Sequence, residues 1–216
     1  MKTVAFIPIK FHNQRLPGKN IKLLNGKPLM QYIQETLLQV HGIDDIYVYC
    51  SDDRVQDYLI AGVKYLKRPN WLDGDHINAN DIFVSFADLV DADIYLAAHA
   101  TAPFINPKSI ECGLSFVKGG QNDSALAVTR LQDFLWIDGK PFNYNPDNIP
   151  RTQDLPPIYK ETFAFFAYNR DVVKIHHRRV GYNPKLIEVS GMEAVDIDEA
   201  EDFVLAETML KMVKNS

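Results

Sequence analysis

Residues 7 to 21 read IPIKFHNQRLPGKNI. A short apolar run leads into Lys10, Arg15 and Lys19, grouped around the rigid Pro17-Gly18 pair. Three cations so close together can neutralise a compact anion such as a pyrophosphate, and backbone N–H groups of the loop can add contacts. Gly18 lets the chain turn with no side chain in the way. The stretch is neither G-x-G-x-x-G nor G-x-x-x-x-G-K-[ST], so a dinucleotide fold and a P-loop ATPase both lose support.

A second group is EAVDIDEAED near the C-terminus. On a strand, Asp196 and Asp198 point to the same face. Two carboxylates so placed can hold one Mg²⁺, with waters and phosphate oxygens at its other positions. Asp198 followed by Glu201 is also an Asp-x-x-Glu capping box for the last helix. The two readings can coexist. In YLAAHATAPFI, His99 and Thr101 sit just past a buried strand, either as structural residues or facing a substrate that the small Ala98, Ala100 and Ala102 let approach. In RTQDLPPIYKETFAFF, Arg151, Gln153, Lys160 and Glu161 form a mixed polar surface that suits a carboxylated sugar or a dimer contact equally.

The elements that must position these groups follow a regular rhythm. Strands are expected at Val4 to Ile9, Ile46 to Cys50, Val63 to Leu66, Ile94 to Ala98 and Ser124 to Arg130. Helical patterns lie between them. One opens at Pro28 with Leu29, Ile33, Leu37 and Val40 on one face, and one is capped by Ser51-Asp52-Asp53 and runs to about Ala61. Another carries Ile82, Phe83, Phe86, Leu89 and Val90. A fourth runs from Pro107 to Gly119-Gly120. Such alternation implies an α/β fold, a mostly parallel sheet flanked by helices, with ligands beyond the carboxyl ends of strands. The rhythm breaks near residue 131. FLWIDGKPFNY reads as a hairpin turning at Asp138-Gly139, and residues 131 to 157 form an excursion suited to oligomerisation. IYKETFAFFAYN returns as a strand. Short strands follow at Leu186 to Val189 and Ala194 to Asp196, then a helix from Asp198 to Lys214 burying Phe203, Leu205, Ala206, Met209, Leu210 and Val213.

Bulk properties agree with one domain spanning residues 1 to 216. The first thirty residues hold six basic side chains and no acid, leaving 17 basic against 28 acidic in the rest. A small basic patch on an acidic protein suits a compact anion and argues against a nucleic-acid partner. No apolar run approaches the ~20 residues of a membrane span. Lys10 interrupts the first apolar stretch too early for a signal sequence. Cys50 and Cys112 show no metal spacing or disulfide framework. The expected compartment is the cytoplasm.

These motifs together resemble the cytidylyltransferases that activate acidic sugars, above all the acylneuraminate (sialic acid) cytidylyltransferases and their relatives for other nonulosonic acids. IPIKFHNQRLPGKNIKLLNGKPL, VYCSDD, KRPNWLDGD, AAHATAPF and AVDIDEAEDFVLAE are similar to that family's blocks, in the same order. The CMP-KDO synthetases are expected to match the first block only. The resemblance implies a nucleotide-diphospho-sugar transferase-like sheet with a small hairpin insertion exchanged across a homodimer. It implies CTP and an acidic sugar as substrates, CMP-sugar and pyrophosphate as products, and Mg²⁺ as cofactor. Carried over by position, Lys10, Arg15 and Lys19 face the triphosphate, Pro8 and Asn20 help hold the nucleotide, and Arg68 lies near the cytidine. His99, Thr101, Gln153, Tyr159, Lys160 and Glu161 lie toward the sugar, and Asp196 and Asp198 bind the metal. The chain departs from the family at Lys10, where Arg is usual, at Phe11 and His12, expected to narrow the loop, and at His99 and Ala102, where Gln and Ser are usual. These departures leave two alternatives, a KDO-type or other sugar cytidylyltransferase and a catalytically weakened nucleotide-binding relative.

Overall fold

The computed structural model describes residues 1–11, 13 and 15–214, the side chains of residues 213 and 214 excepted. In chain order its strands and helices are β1 (Thr3–Ile9), β2 (Leu23–Leu24), β3 (Lys27–Pro28), α1 (Leu29–Gln39), β4 (Asp45–Cys50), β5 (Lys64–Lys67), α2 (Ala79–Leu89), β6 (Ile94–Ala98) and α3 (Pro107–Lys118). Then follow β7 (Ser124–Leu131), β8 (Trp136–Ile137), β9 (Lys140–Pro141), β10 (Ile158–Asn169), α4 (Arg170–Lys174), β11 (Pro184–Glu188) and α5 (Ala200–Lys214).

The main sheet has seven strands in the order β11-β7-β10-β6-β1-β4-β5. Pairing is parallel except at β10, which runs antiparallel to both β6 and β7. Alternation along each strand separates two cores. Ala5, Ile7 and Ile9 of β1 face α1 and α3, packing with Met30, Ile33, Leu37, Ile110 and Leu114. Val4 and Phe6 face α2 and α4, packing with Phe83, Phe86, Val172 and Val173. Burial on both faces explains why β1 is an almost unbroken apolar run.

Parallel pairing brings the carboxyl ends of β1, β4, β5 and β6 to one edge, with Ile9 opposite Cys50 and Cys50 opposite Lys67. The long β7–β10 pair extends past the end of β6, because Phe165 is already level with Ala98. Register shifts between Glu161 and Phe166, and Phe163 takes a positive φ of 56°. Such a bulge bends the strand and re-aims its side chains, here at the rim of the same edge.

Several expectations need correction. Ser51-Asp52-Asp53 starts a 3-10 helix, Asp53–Tyr58, rather than an α-helix to Ala61, although Asp52 does accept from the Arg54 N–H as a cap. No strand forms at Ala194 to Asp196; the segment is irregular and is pinned where the Ile197 N–H donates to the Thr101 carbonyl at 2.8 Å. Leu89 and Leu205 are exposed on the outer faces of their helices. Among the described side chains of α5, only Phe203 and Ala206 are buried, with Leu24, Leu29 and Ile197, while Met209 and Leu210 are half-buried. The Val213 side chain lies outside the described residues. The hairpin at residue 138 forms as expected: Asp138 (φ 50°) and Gly139 (φ 73°) join β8 to β9, both left-handed as a two-residue turn of this class requires.

Candidate active site

The loop after β1 is built around Gly18, whose φ of 68° is left-handed. The Lys19 N–H donates to the Leu16 carbonyl, and those of Ile21 and Lys22 donate to Gly18. The resulting tight turn buries Lys19 and Asn20. The Asn20 amide donates to the Lys10 carbonyl at 2.8 Å and so braces the loop's first residue. Pro8 is half-buried in β1 just before the loop, level with Tyr49. Lys10, Asn13, Arg15, Lys19, Asp75 and Asp198 line a cavity of about 270 Å³. Phe11 does not line it. Its ring packs toward Tyr58, with the Arg54 guanidinium over it at 5.1 Å, so this residue anchors the loop instead of narrowing it. His12 lies outside the described residues.

The C-terminal carboxylates meet this loop across the cleft. Lys19 Nζ lies 2.9 Å from Asp198 Oδ1 and Arg15 Nη2 lies 2.8 Å from Asp198 Oδ2. The Asp198 carboxylate therefore faces the loop cations instead of capping α5. The capping role falls to Asp202, which accepts from the Asp198 and Glu199 N–H groups at 2.9 and 2.8 Å. Burial pushes the Asp198 carboxyl up, but the Lys19 hydrogen bond and the Lys19 and Arg15 charges outweigh it and hold it below the ordinary carboxylate range. Asp196 goes the other way. Burial raises its pKa, a Thr101 hydrogen bond offsets part of that, and the nearby Asp198 charge raises it further. Its Oδ1 is buried with no hydrogen-bond partner among the described residues.

That orphaned oxygen, with a second carboxylate two residues away, fits a hard divalent cation such as Mg²⁺. No cluster of three or more His, Cys, Asp or Glu side chains suited to a metal occurs among the described residues. The remaining positions on such a cation would fall to water and substrate.

On the far side of the loop, Arg68 at the end of β5 is 2% exposed. It donates to Asp73 at 2.5 Å, its backbone N–H reaches the Cys50 carbonyl, and its Nε has no partner among the described residues. Asp73 also borders an open cavity of about 560 Å³ with Ser51, Asp52, Arg54, Lys67 and Asn70. His99 follows β6, its ring set among Phe83, Phe163 and Phe166 at 6.1 to 6.3 Å between centres. Burial first, then the Arg179 and Lys19 charges, pushes its pKa down to about 4. At neutral pH it is an uncharged imidazole, and its Nε2 has no partner among the described residues. Ala102 is fully buried.

The residues expected toward the sugar do not all gather. Glu161 lines a cavity of about 260 Å³ with Asn80, Arg178, Arg179 and Val180. Thr101 is engaged with Asp196 and Ile197. Gln153, in a short 3-10 turn (Thr152–Asp154), and Tyr159 and Lys160, at the start of β10, are exposed and line none of these cavities. Sequence reasoning passed over Asn13, Asp73, Asp75, Asp202, Arg178 and Arg179. Of these, only the paired arginines of HHRRVG carried a visible signal, a basic run in an acidic half of the chain.

The sequence matches the family described as "Cytidylyltransferase" over residues 4–211. It is 30% identical over 196 residues to 3-deoxy-manno-octulosonate cytidylyltransferase of Escherichia coli, covering 80% of this chain and 74% of that protein. It is 26% identical to 8-amino-3,8-dideoxy-manno-octulosonate cytidylyltransferase of Shewanella frigidimarina, covering 97% of this chain and 99% of that one. In fold it resembles CMP:2-keto-3-deoxy-manno-octonic acid synthetase complexed with CTP, with a TM-score of 0.77 and 24% identity over 98% of this chain and 99% of that one. A 4-diphosphocytidyl-2C-methyl-D-erythritol synthase from Anaerococcus prevotii has a TM-score of 0.73 at 13% identity, over 97% of this chain and 96% of that one. The likeness to the octulosonate enzymes thus runs through the chain instead of stopping at the first block. With a family match running almost from end to end, the chain belongs to the cytidylyltransferase family.

Proposed function

We propose that this protein transfers a cytidylyl group from CTP to the anomeric hydroxyl of an acidic 2-keto sugar, releasing pyrophosphate. The observation that carries the reading is the Lys10, Arg15 and Lys19 cavity closed by Asp198. Such a transfer needs positioning and charge neutralisation more than covalent chemistry. The sugar hydroxyl gives up its proton to solvent, and its oxygen forms a bond to the α-phosphorus as the bond to the bridging oxygen of pyrophosphate breaks. Lys10, Arg15 and Lys19 stabilise the charge that accumulates on the departing pyrophosphate. Asn20 keeps the Lys10 backbone in place for this. Arg68, held by Asp73, belongs to the cytidine side. Asp196 and Asp198 are the residues that would hold Mg²⁺, which when bound supplies a Lewis acid for phosphate oxygens.

Among acidic sugars, the named relatives favour an octulosonate of the KDO type. The block order of the sequence supports a sialic or other nonulosonic acid as the second reading. The test is pyrophosphate release from CTP and Mg²⁺ with a panel of 2-keto sugar acids of both kinds. Release with at least one acid, and none with neutral sugars, is the expected outcome. CTP binding with no turnover on the whole panel overturns the reading in favour of a weakened nucleotide-binding relative.

The reading extends to a homodimer. Trp136, Ile137, Phe142 and Ile149 of the excursion are all more than half exposed, and large apolar side chains left open along one short segment suit an interaction surface. Gln153, Tyr159 and Lys160 sit at the base of the same arm, where a second copy would give them a cleft to face.

A further inference from the structure

The cation loop is committed to phosphate, so an acidic acceptor needs a cation elsewhere. We propose that Arg179, with Arg178 beside it, anchors the carboxylate of the acceptor sugar and is a specificity-determining residue. The inference rests on the acidic-sugar reading above.

Arg179 is oriented from three sides. Its Nη2 lies 2.8 Å from Glu161 Oε2. Its guanidinium lies 4.8 Å and 4.4 Å from the ring centres of Phe163 and Phe166. Its backbone N–H donates to Asn80 Oδ1 at 3.0 Å. Yet Nη1 is buried and has no partner among the described residues. Buried donors are almost always satisfied, so an orphan at the wall of a cavity points to an acceptor that arrives with a ligand. A planar guanidinium stacked on aromatic rings is the side chain best suited to take a carboxylate in a two-point contact.

Arg178 supplies the second charge. Its guanidinium sits over Tyr182 at 4.6 Å and makes no ion pair with a carboxylate among the described residues. Against the single charge of Glu161, the pair leaves the cavity positive in a protein of net charge −5. Glu161 remains as an acceptor for sugar hydroxyls.

This cavity and the cleft are linked through neighbouring residues. His99 contacts the same two phenyl rings as Arg179. Ile77 lines the phosphate-side cavity and Asn80, three residues on, lines this one. The bulge that lifts Phe163 is what brings Glu161 and the ring under Arg179 to the rim. The uncharged His99 lies between the two cationic regions and competes with neither.

The discriminating experiment compares 3-deoxy-manno-octulosonate with its carboxyl methyl ester, and each active acid of the panel with its ester, in the CTP- and Mg²⁺-dependent assay. Wild-type protein is expected to prefer acid over ester by about tenfold or more in kcat/KM. Arg179→Met is expected to raise KM for the acid about tenfold or more while leaving KM for the ester and for CTP within about twofold, so the preference collapses. A purely structural ion pair would weaken acid and ester alike, and that result overturns the proposal. So does an unchanged preference in both Arg179→Met and Arg178→Met. If Arg179→Met does not fold by circular dichroism, Arg179→Lys carries the test: it keeps the charge but loses the fork, and a reduced preference is expected where an unchanged one refutes the anchor. Turnover with intact discrimination in the variants sinks this inference alone, whereas wild-type protein inert toward every acid sinks the substrate reading and this inference with it.

Discussion

Asp196 and Asp198 stand two residues apart, and their surroundings push them in opposite directions. Burial raises Asp196, so the folded protein holds that proton more tightly than the unfolded chain does. Its contribution to stability therefore falls as pH rises from the unfolded carboxylate value, about 3.9, through its higher folded value. Above that folded value, the ionised Asp196 is a cost to the metal-free fold. Asp198 is depressed, so its contribution is present above about pH 4 and is lost as pH falls through its folded value. Asp196→Asn should accordingly raise the melting temperature of the metal-free protein, by about 2–4 °C for each kcal/mol relieved. The same change should lower pyrophosphate release by about 10²–10³-fold, if losing the carboxylate costs what one electrostatic contact typically does. Differential scanning calorimetry without metal and the release assay with Mg²⁺ check the two halves. Wild-type turnover in Asp196→Asn would remove this residue from the metal site.

At the scale of elements, the edge of the sheet is shaped by how α3 lies against it. Gly113 permits the approach: a Cβ there would meet Phe165 Cε2 at 2.8 Å and Ala125 Cβ at 3.4 Å. Phe165 is level with Ala98 on β6, one residue before His99. Gly113→Val should therefore cost about 1–3 kcal/mol of stability through overpacking. Because Phe165 follows Ala164, whose carbonyl accepts the His99 N–H, kcat/KM for the sugar should fall more than kcat/KM for CTP. Denaturant titration at unchanged m-value, with kinetics on both substrates, checks this; a variant as stable as the parent would mean that α3 can shift away freely. The end of α5 shows a related dependence. Asp202 closes its first turn, which frees Asp198 to face Lys19.

For the molecule as a whole, the exposed aromatic arm is the feature one copy leaves unaccounted for. Trp136→Lys with Phe142→Lys should convert a dimer to monomer in sedimentation velocity while shifting the melting temperature of the core little, since both side chains are more than half exposed. A wild-type chain that sediments as a monomer would dismiss the dimer outright. Much of the architecture was legible beforehand. β6, β10 and α3 match their expected bounds within a residue or so, because an apolar run between turn residues, or Pro107 opening an apolar period and Gly119-Gly120 closing it, acts locally. The misses have local causes too. Asp196 and Asp198 alternate as a strand would, yet no neighbouring strand pairs with that segment, and Leu205 fits the apolar period of α5 but lies on a face that nothing covers. What the sequence by itself determined was the rhythm of elements, the phosphate-sized knot of charge after β1 and the presence of two late carboxylates. What only the tertiary structure decided was which of these meet. Lys19 reaches Asp198 across 179 residues, and Glu161, Phe163 and Arg179 converge at one rim. Those partnerships are made by parallel strand order and a β-bulge, and neither is encoded in the spacing of the residues they join.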